Sequence, residues 1–303
     1  MMSRSLIVLA TLSVSAAHAD VSLAPHQAVY NLSLDGETSG IVGAEGRIAM
    51  KLRTDRCDLY NLDYRFVARF QQEQEFTLTD QQTNSTENRD GTEFEFSTRT
   101  FVDGSPEKEI RGKARTYDDA TTVSMEAPVA SNFALPRSAF PMQHTAELIA
   151  KAEAGEQIVE TRLFDGDDDA QKLLTSTSII TPNPPAVAQN EGQAAQATDA
   201  PDLPGQPISA PQTVKPDGSL AVEEGEAPTP KTEIQNLLSG LKSWRISESY
   251  YNSDSDPDGM PIFQTSYVLY ENGVSDDLRL DFGTYVFAGS LSQLALFDPI
   301  SCK

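Results

Sequence analysis

Long apolar runs, cysteine, histidine and basic charge are all scarce in this 303-residue chain, and each scarcity removes a class of function. No stretch approaches the roughly 20 consecutive apolar residues that a membrane-crossing helix needs. Lys and Arg number 23 against 45 Asp and Glu, for a formal charge of −22. Such a chain repels nucleic acid and anionic membrane surfaces, and the surplus reads as solubility. Three histidines leave little room for metal or acid–base clusters, and no H-E-x-x-H or G-x-S-x-G pattern occurs. The glycines of Gly40-Ile41-Val42-Gly43-Ala44-Glu45-Gly46 lead into a strand pattern, so they do not form the phosphate cradle at a helix start. No cofactor is expected.

The first residues do carry a signal. Arg4 precedes the apolar run Leu6–Leu12, and Ala17-His18-Ala19 stands ahead of Asp20. This is the pattern of a secretory signal peptide cut after Ala19, which places the mature chain in the periplasm. No cysteine follows the cut, which argues against a lipid anchor. In an exported protein the pair Cys57 and Cys302 reads as a disulfide, since a metal pair or redox couple usually needs close spacing or added histidines. It would close a loop of about 246 residues, for which chain entropy gives at most about 5 kcal/mol.

Period-two alternation dominates what remains. Tyr60, Leu62, Tyr64, Phe66, Ala68 and Phe70 alternate with Asn61, Asp63, Arg65, Val67 and Arg69, which predicts a long strand with one wet face. Ile48-Met50-Leu52, Phe94-Phe96 and Leu278-Leu280-Phe282 repeat the pattern, and Arg89-Asp90-Gly91 and Glu271-Asn272-Gly273 supply tight turns between runs. The expected fold is mainly β, a many-stranded antiparallel β-spiral or open barrel-like sheet with one internal amphipathic helix. Pro141 opens that helix, Met142, Ala146, Ile149 and Ala150 share its face, and Gly155 ends it. From about 182 to 231 the pattern gives way to Pro, Ala, Gln and acidic residues, with ten of the eighteen prolines, and reads as a disordered insertion in a single domain spanning 20–303. A short helix or turn from Leu237 leads into a strand around Trp244 and Ile246.

Candidate chemistry is sparse. His144 is expected to cap or pack, and His26 to be an exposed strand residue. Asp254, Asp256 and Asp258 before Gly259 copy half a calcium loop, but Thr265 stands where the bidentate Glu belongs. Asp165, Asp167, Asp168 and Asp169 form a second acidic turn without the required glycine. A sheet this large has more apolar face than one helix covers, so a hydrophobic cavity is expected, lined by Tyr60, Leu62, Tyr64, Phe66, Met142 and Ile149.

Several blocks occur in an order that resembles a known family: Ala24-Pro25-His26-Gln27-Ala28-Val29-Tyr30, Ser39-Gly40-Ile41, Thr79-Asp80-Gln81-Gln82-Thr83, Arg99-Thr100-Phe101-Val102-Asp103, Phe140-Pro141-Met142-Gln143-His144-Thr145, Leu163-Phe164-Asp165-Gly166 and Tyr270-Glu271-Asn272-Gly273-Val274. The chain is similar to the EipB-like family of alphaproteobacterial envelope-integrity proteins, across nearly all of the mature sequence. The resemblance implies a periplasmic, monomeric β-spiral with a helix inside, likened in shape to lipoprotein carriers, with Cys57 and Cys302 matching its disulfide. It also implies lipoprotein, lipopolysaccharide-related or tetratricopeptide-containing envelope partners and brings no catalytic residues. The insertion at 181–231 and the acidic balance set this chain apart. The expected function is a non-enzymatic envelope factor that binds an amphiphile or an envelope protein. Two alternatives are an envelope hydrolase using carboxylates such as Asp80 and Asp103, and a scaffold that recruits partners through the insertion.

Overall fold

The computed structural model describes residues 21–36, 40–166, 173–183, 229–252 and 259–300. The expected signal segment, nearly all of the insertion, Asp167–Asp169, the acidic turn at 253–258 and Cys302 lie outside the described residues. Eight strands come first: β1 (His26–Leu34), β2 (Gly43–Arg56), β3 (Leu59–Gln71), β4 (Phe76–Asn88), β5 (Glu93–Val102), β6 (Ser105–Thr116), β7 (Ala120–Ala127) and β8 (Ser131–Pro136). Helix α1 (Pro141–Glu153) follows, then β9 (Ile158–Leu163), β10 (Leu174–Pro182), helix α2 (Lys231–Leu238), β11 (Ser243–Asn252), β12 (Phe263–Tyr270), β13 (Ser275–Asp281) and β14 (Val286–Leu296).

All fourteen strands among the described residues belong to one antiparallel sheet, in the order β8-β7-β6-β5-β4-β3-β2-β1-β14-β13-β12-β11-β10-β9. The chain therefore starts in the middle of the sheet, runs outward to β8, crosses by α1 to the opposite edge and returns to β1. The sheet curls so far that its two edges nearly meet. Just beyond β8, the Ala139 N–H donates to the Arg162 carbonyl at 2.8 Å, and the Phe164 N–H donates to the Ala139 carbonyl at 3.0 Å, a parallel bridge to β9. Covering edge strands in this way removes templates for aggregation.

The strand expected at 60–70 is β3, with Tyr60 and Ala68 buried and Tyr64, Phe66 and Phe70 packed on the interior. Both predicted hairpins form. Gly91 sits at φ +66°, and a side chain there would also strike Gln143 of α1 at 2.4 Å. Helix α1 has the expected bounds to within one residue. Helix α2 differs from expectation: it begins at Lys231, six residues earlier than Leu237, and packs Ile234 and Leu238 into the core beside β14. His26 also differs. It points the same way as Ala28 and Tyr30, is buried, and donates from Nδ1 to the Ala24 carbonyl at 2.8 Å.

Fourteen strands enclose more space than their own side chains fill, since about eight already bring opposing side chains into contact. Helix α1 occupies one end of that space. Leu148, Ile149 and Ala152 pack there against Leu52, Tyr60, Ile180, Trp244, Ile246 and Leu269. Lys242, in the link from α2 to β11, pairs with Glu153 at the end of α1 at 3.1 Å.

Candidate functional site

The lumen has two unlike halves. At the helix end, α1 starts without a cap of its own: Phe140 occupies the N-cap position and no acidic residue lies in the first turn. The missing partner comes from the wall. Glu87 of β4 accepts the Met142 N–H at 2.8 Å and the Gln143 N–H at 2.7 Å, satisfying two of the helix's free donors. Burial pushes the Glu87 carboxyl up to about 7 against the pull of those two N–H groups.

The next residue, His144, reaches the far wall. Its Nε2 lies 2.8 Å from Glu248 Oε1 on β11. Ser176 and Ser178 of β10 donate to the same oxygen at 2.9 and 2.8 Å, and Tyr250 and Tyr267 donate to Oε2 at 3.0 and 2.7 Å. Burial pushes the Glu248 carboxyl up, but the His144 hydrogen bond and charge, with the Tyr267 and Ser178 hydroxyls, outweigh it and bring the group down to about 2. Burial first, and then the Glu248 charge, raise both phenols well above their ordinary range. In the strand order β4 is fifth and β11 twelfth, seven places apart in a nearly closed sheet of fourteen. The first turn of α1 is thus a strut between opposite walls.

This cluster does not have the order of a hydrolytic triad. There the histidine bridges hydroxyl and carboxylate, whereas here the carboxylate bridges serine and histidine, so neither serine faces a base. Asp80 is held in a two-point fork by Arg65 at 2.9 Å, and Asp103 accepts the Leu78 N–H in the β5–β6 turn at 2.9 Å. Among the described residues no group of three or more His, Cys, Asp or Glu side chains is placed to hold a metal.

Toward the other end, which we call the hairpin rim, the interior is looser. Tyr64, Phe66, Phe70, Leu278, Leu280 and Tyr285 pack on the second core cluster yet stay half-buried. A lane of ring contacts runs along them: Tyr250 to Phe263 at 5.5 Å, Phe263 to Phe282 at 4.8 Å, Phe282 to Tyr285 at 4.8 Å, Tyr285 to Phe70 at 5.0 Å and Phe70 to Phe287 at 5.8 Å. The strand register puts Thr83 and Gln81 beside Tyr64 and Phe66, and Thr98 and Thr100 beyond them on β5. Thr83 and Thr98 join their hydroxyls at 2.9 Å. The lumen here has an aromatic side and a hydroxyl–amide side.

Of the six expected lining residues, Tyr60, Leu62, Met142 and Ile149 come together in the α1 cluster, where Tyr60 and Ile149 are closed off by packing. Tyr64 and Phe66 fall in the other half. Sequence reasoning missed Glu87 and Glu248. Their signal was a carboxylate at an inward position of an alternating strand, as in Trp244-Arg245-Ile246-Ser247-Glu248-Ser249-Tyr250.

Comparison with known proteins gives the same architecture. The Cell envelope integrity protein EipB of Brucella abortus (strain 2308) is 32% identical over 289 residues, covering 94% of this chain and 88% of that protein. A crystal structure of a beta-barrel-like protein of a domain of unknown function, also from Brucella abortus, superposes with a TM-score of 0.72 at 31% identity, covering 92% of this chain and all of the other. Residues 17–210 and 218–298 match the EipB-like family, and the chain belongs to it.

Proposed function

We propose that the protein supports cell-envelope integrity from the periplasm by holding an amphiphile in the hairpin-rim half of its lumen, without catalysis. The observation that carries this reading is the division of the lumen. One half is sealed by α1 and its two buried carboxylates. The other keeps an aromatic side and a hydroxyl–amide side half-buried, a surface suited to a molecule with an apolar chain and a polar group. The name of the Brucella relative supports the envelope role, and the signal-peptide-like pattern ahead of Asp20 is in keeping with the compartment.

The Cys57–Cys302 disulfide belongs to the same proposal. Strands β2 and β14 flank β1 and run the same way, with Leu52 and Leu296 both opposite His26 at the helix end. Cys57 follows Leu52 by five residues and Cys302 follows Leu296 by six. A bond between them would clasp the closed end of the lumen, which supports a role in keeping that end shut.

Native mass spectrometry of the protein purified from periplasm, beside an unrelated periplasmic protein, tests the reading. We expect a specific amphiphile near one-to-one stoichiometry, lost on Tyr64→Asp while the fold persists. A protein that is empty, or a Tyr64→Asp variant as loaded as the parent, would shift the function to docking of an envelope protein.

A further inference from the structure

The hairpin rim carries a second feature. Four connections follow one another along it: β3–β4, β1–β2, β13–β14 and β11–β12. Their register is level, since Gly43 lies opposite Gln71, Gln71 opposite Phe76, Leu34 opposite Phe287, Asp281 opposite Val286 and Gln264 opposite Asp281. Each of the four exposes at least one large apolar side chain: Phe76, Val42, Phe282, and the pair Met260 and Ile262. All five are between 36% and 63% exposed. With strands about 4.8 Å apart, the eight strands involved give an apolar crescent roughly 30–35 Å long. Among the described residues, the other end exposes Tyr117, Ile158, Leu296 and Ile300, without such a series on consecutive hairpins.

Charge is managed along this crescent. Arg69 pairs with Glu45 and lies over the Phe76 ring at 5.5 Å, and Arg279 pairs with Asp35 and Asp281 at 3.3 and 3.2 Å. These pairs neutralise Glu45, Asp35 and Asp281, while the sequence adds Glu73 and Glu75 before Phe76 and Asp254, Asp256 and Asp258 before Met260. Separate apolar tips on separate hairpins suit a fluid surface, into which each tip can sink independently; a protein partner would instead need one continuous complementary patch. The acidic residues between the tips oppose anionic lipid. Phe282 also connects the crescent inward, through its stack on Tyr285 and the contacts of Tyr285 with Phe70 and Phe287.

We infer that the crescent Val42, Phe76, Met260, Ile262 and Phe282 docks the protein on a zwitterionic lipid surface, setting the half-buried aromatics of the hairpin rim against it. The exchange of an amphiphile with that surface rests on the reading above; the docking itself does not.

The test is flotation of the full mature chain with phosphatidylcholine vesicles and with vesicles containing phosphatidylglycerol, comparing the parent with V42D/F76D/M260D. All three changes are at tips that are more than half exposed and outside the ring lane, and near-UV circular dichroism checks that the fold is kept. We expect binding to phosphatidylcholine, weaker binding as phosphatidylglycerol is added, and at least a tenfold loss in the variant. Failure to float with phosphatidylcholine would overturn the inference, as would flotation unchanged by the substitutions. Concentration-dependent self-association that the same substitutions abolish would also overturn it, in favour of a contact between copies of the chain. Native mass spectrometry of the same samples separates the two readings: an empty lumen with intact, substitution-sensitive flotation would sink the amphiphile and leave the docking standing.

Discussion

The two ends of this barrel are built from the same alternating strands but closed by opposite means. At the helix end the interior is filled: Leu148 and Ile149 are fully buried, and two carboxylates from facing walls grip the first turn of α1. At the hairpin rim the inward aromatics stay half-buried and the loops end in exposed apolar tips. The difference teaches that polar groups set the closed end, because burying a carboxylate is tolerable only where its hydrogen bonds are supplied in full. Glu248 obtains five, from His144, Ser176, Ser178, Tyr250 and Tyr267.

Breaking that hub should have the largest effect on the contrast. In Glu248→Gln one of the two oxygens becomes an NH2 group that faces donors, either the His144, Ser176 and Ser178 set or the two tyrosines. Removing one member of a buried charged network costs about 3–5 kcal/mol, and we expect a loss in that range in urea unfolding. Hydrogen exchange should quicken in α1 more than in β2 and β3. A loss below about 1 kcal/mol would mean that α1 is held by apolar packing alone.

A matched pair of truncations compares the ends directly. Leu148→Ala, in the closed half, should cost about 2–5 kcal/mol because the neighbours cannot collapse into the space. Leu278→Ala, half-buried near the rim, should cost about 1 kcal/mol, since its side chain gives up less apolar contact. Equal losses would erase the distinction between a packed and an open half.

Most of the sheet was legible in the sequence because alternation and hairpin glycines are local signals. Strand β3 and helix α1 follow from the period of their own apolar residues, and the Phe140-Pro141 block has its reason in the rings it meets, with Phe140 stacked on Phe94 at 5.2 Å. Helix α2 was not legible as placed. It has only eight residues and follows a proline-rich stretch, and its order comes from packing Ile234 and Leu238 against a strand that lies far along the chain. The strut was hidden for a related reason. His144 and Glu248 are 104 residues apart, and only closure of the sheet brings them to bonding distance. His26 misled because one imidazole at the start of a strand reads as polar, while its inward side is fixed by the pairing of β1 with both β2 and β14.

The subtlest comparison is between the two carboxylates that hold α1, because pH should act on them with opposite sign. Glu248 lies below its ordinary value in the fold, so its contribution is present above about pH 4.5 and is lost as pH falls toward about 2. Glu87 lies above its ordinary value, at about 7 against 4.5, so the fold favours its protonated form. Its contribution is complete below about pH 4.5 and is lost as pH rises through about 7, by at most about 3 kcal/mol for a shift of this size. Glu87→Gln cannot ionise and should remove that slope. Its stability relative to the parent should therefore rise between pH 4.5 and 8, measured by urea unfolding at each pH, while the loss of stability below pH 4 that belongs to Glu248 stays as it was. A constant difference between parent and variant across that window would mean that the two helix N–H groups hold Glu87 ionised throughout, and that both ends of the strut are fixed charges.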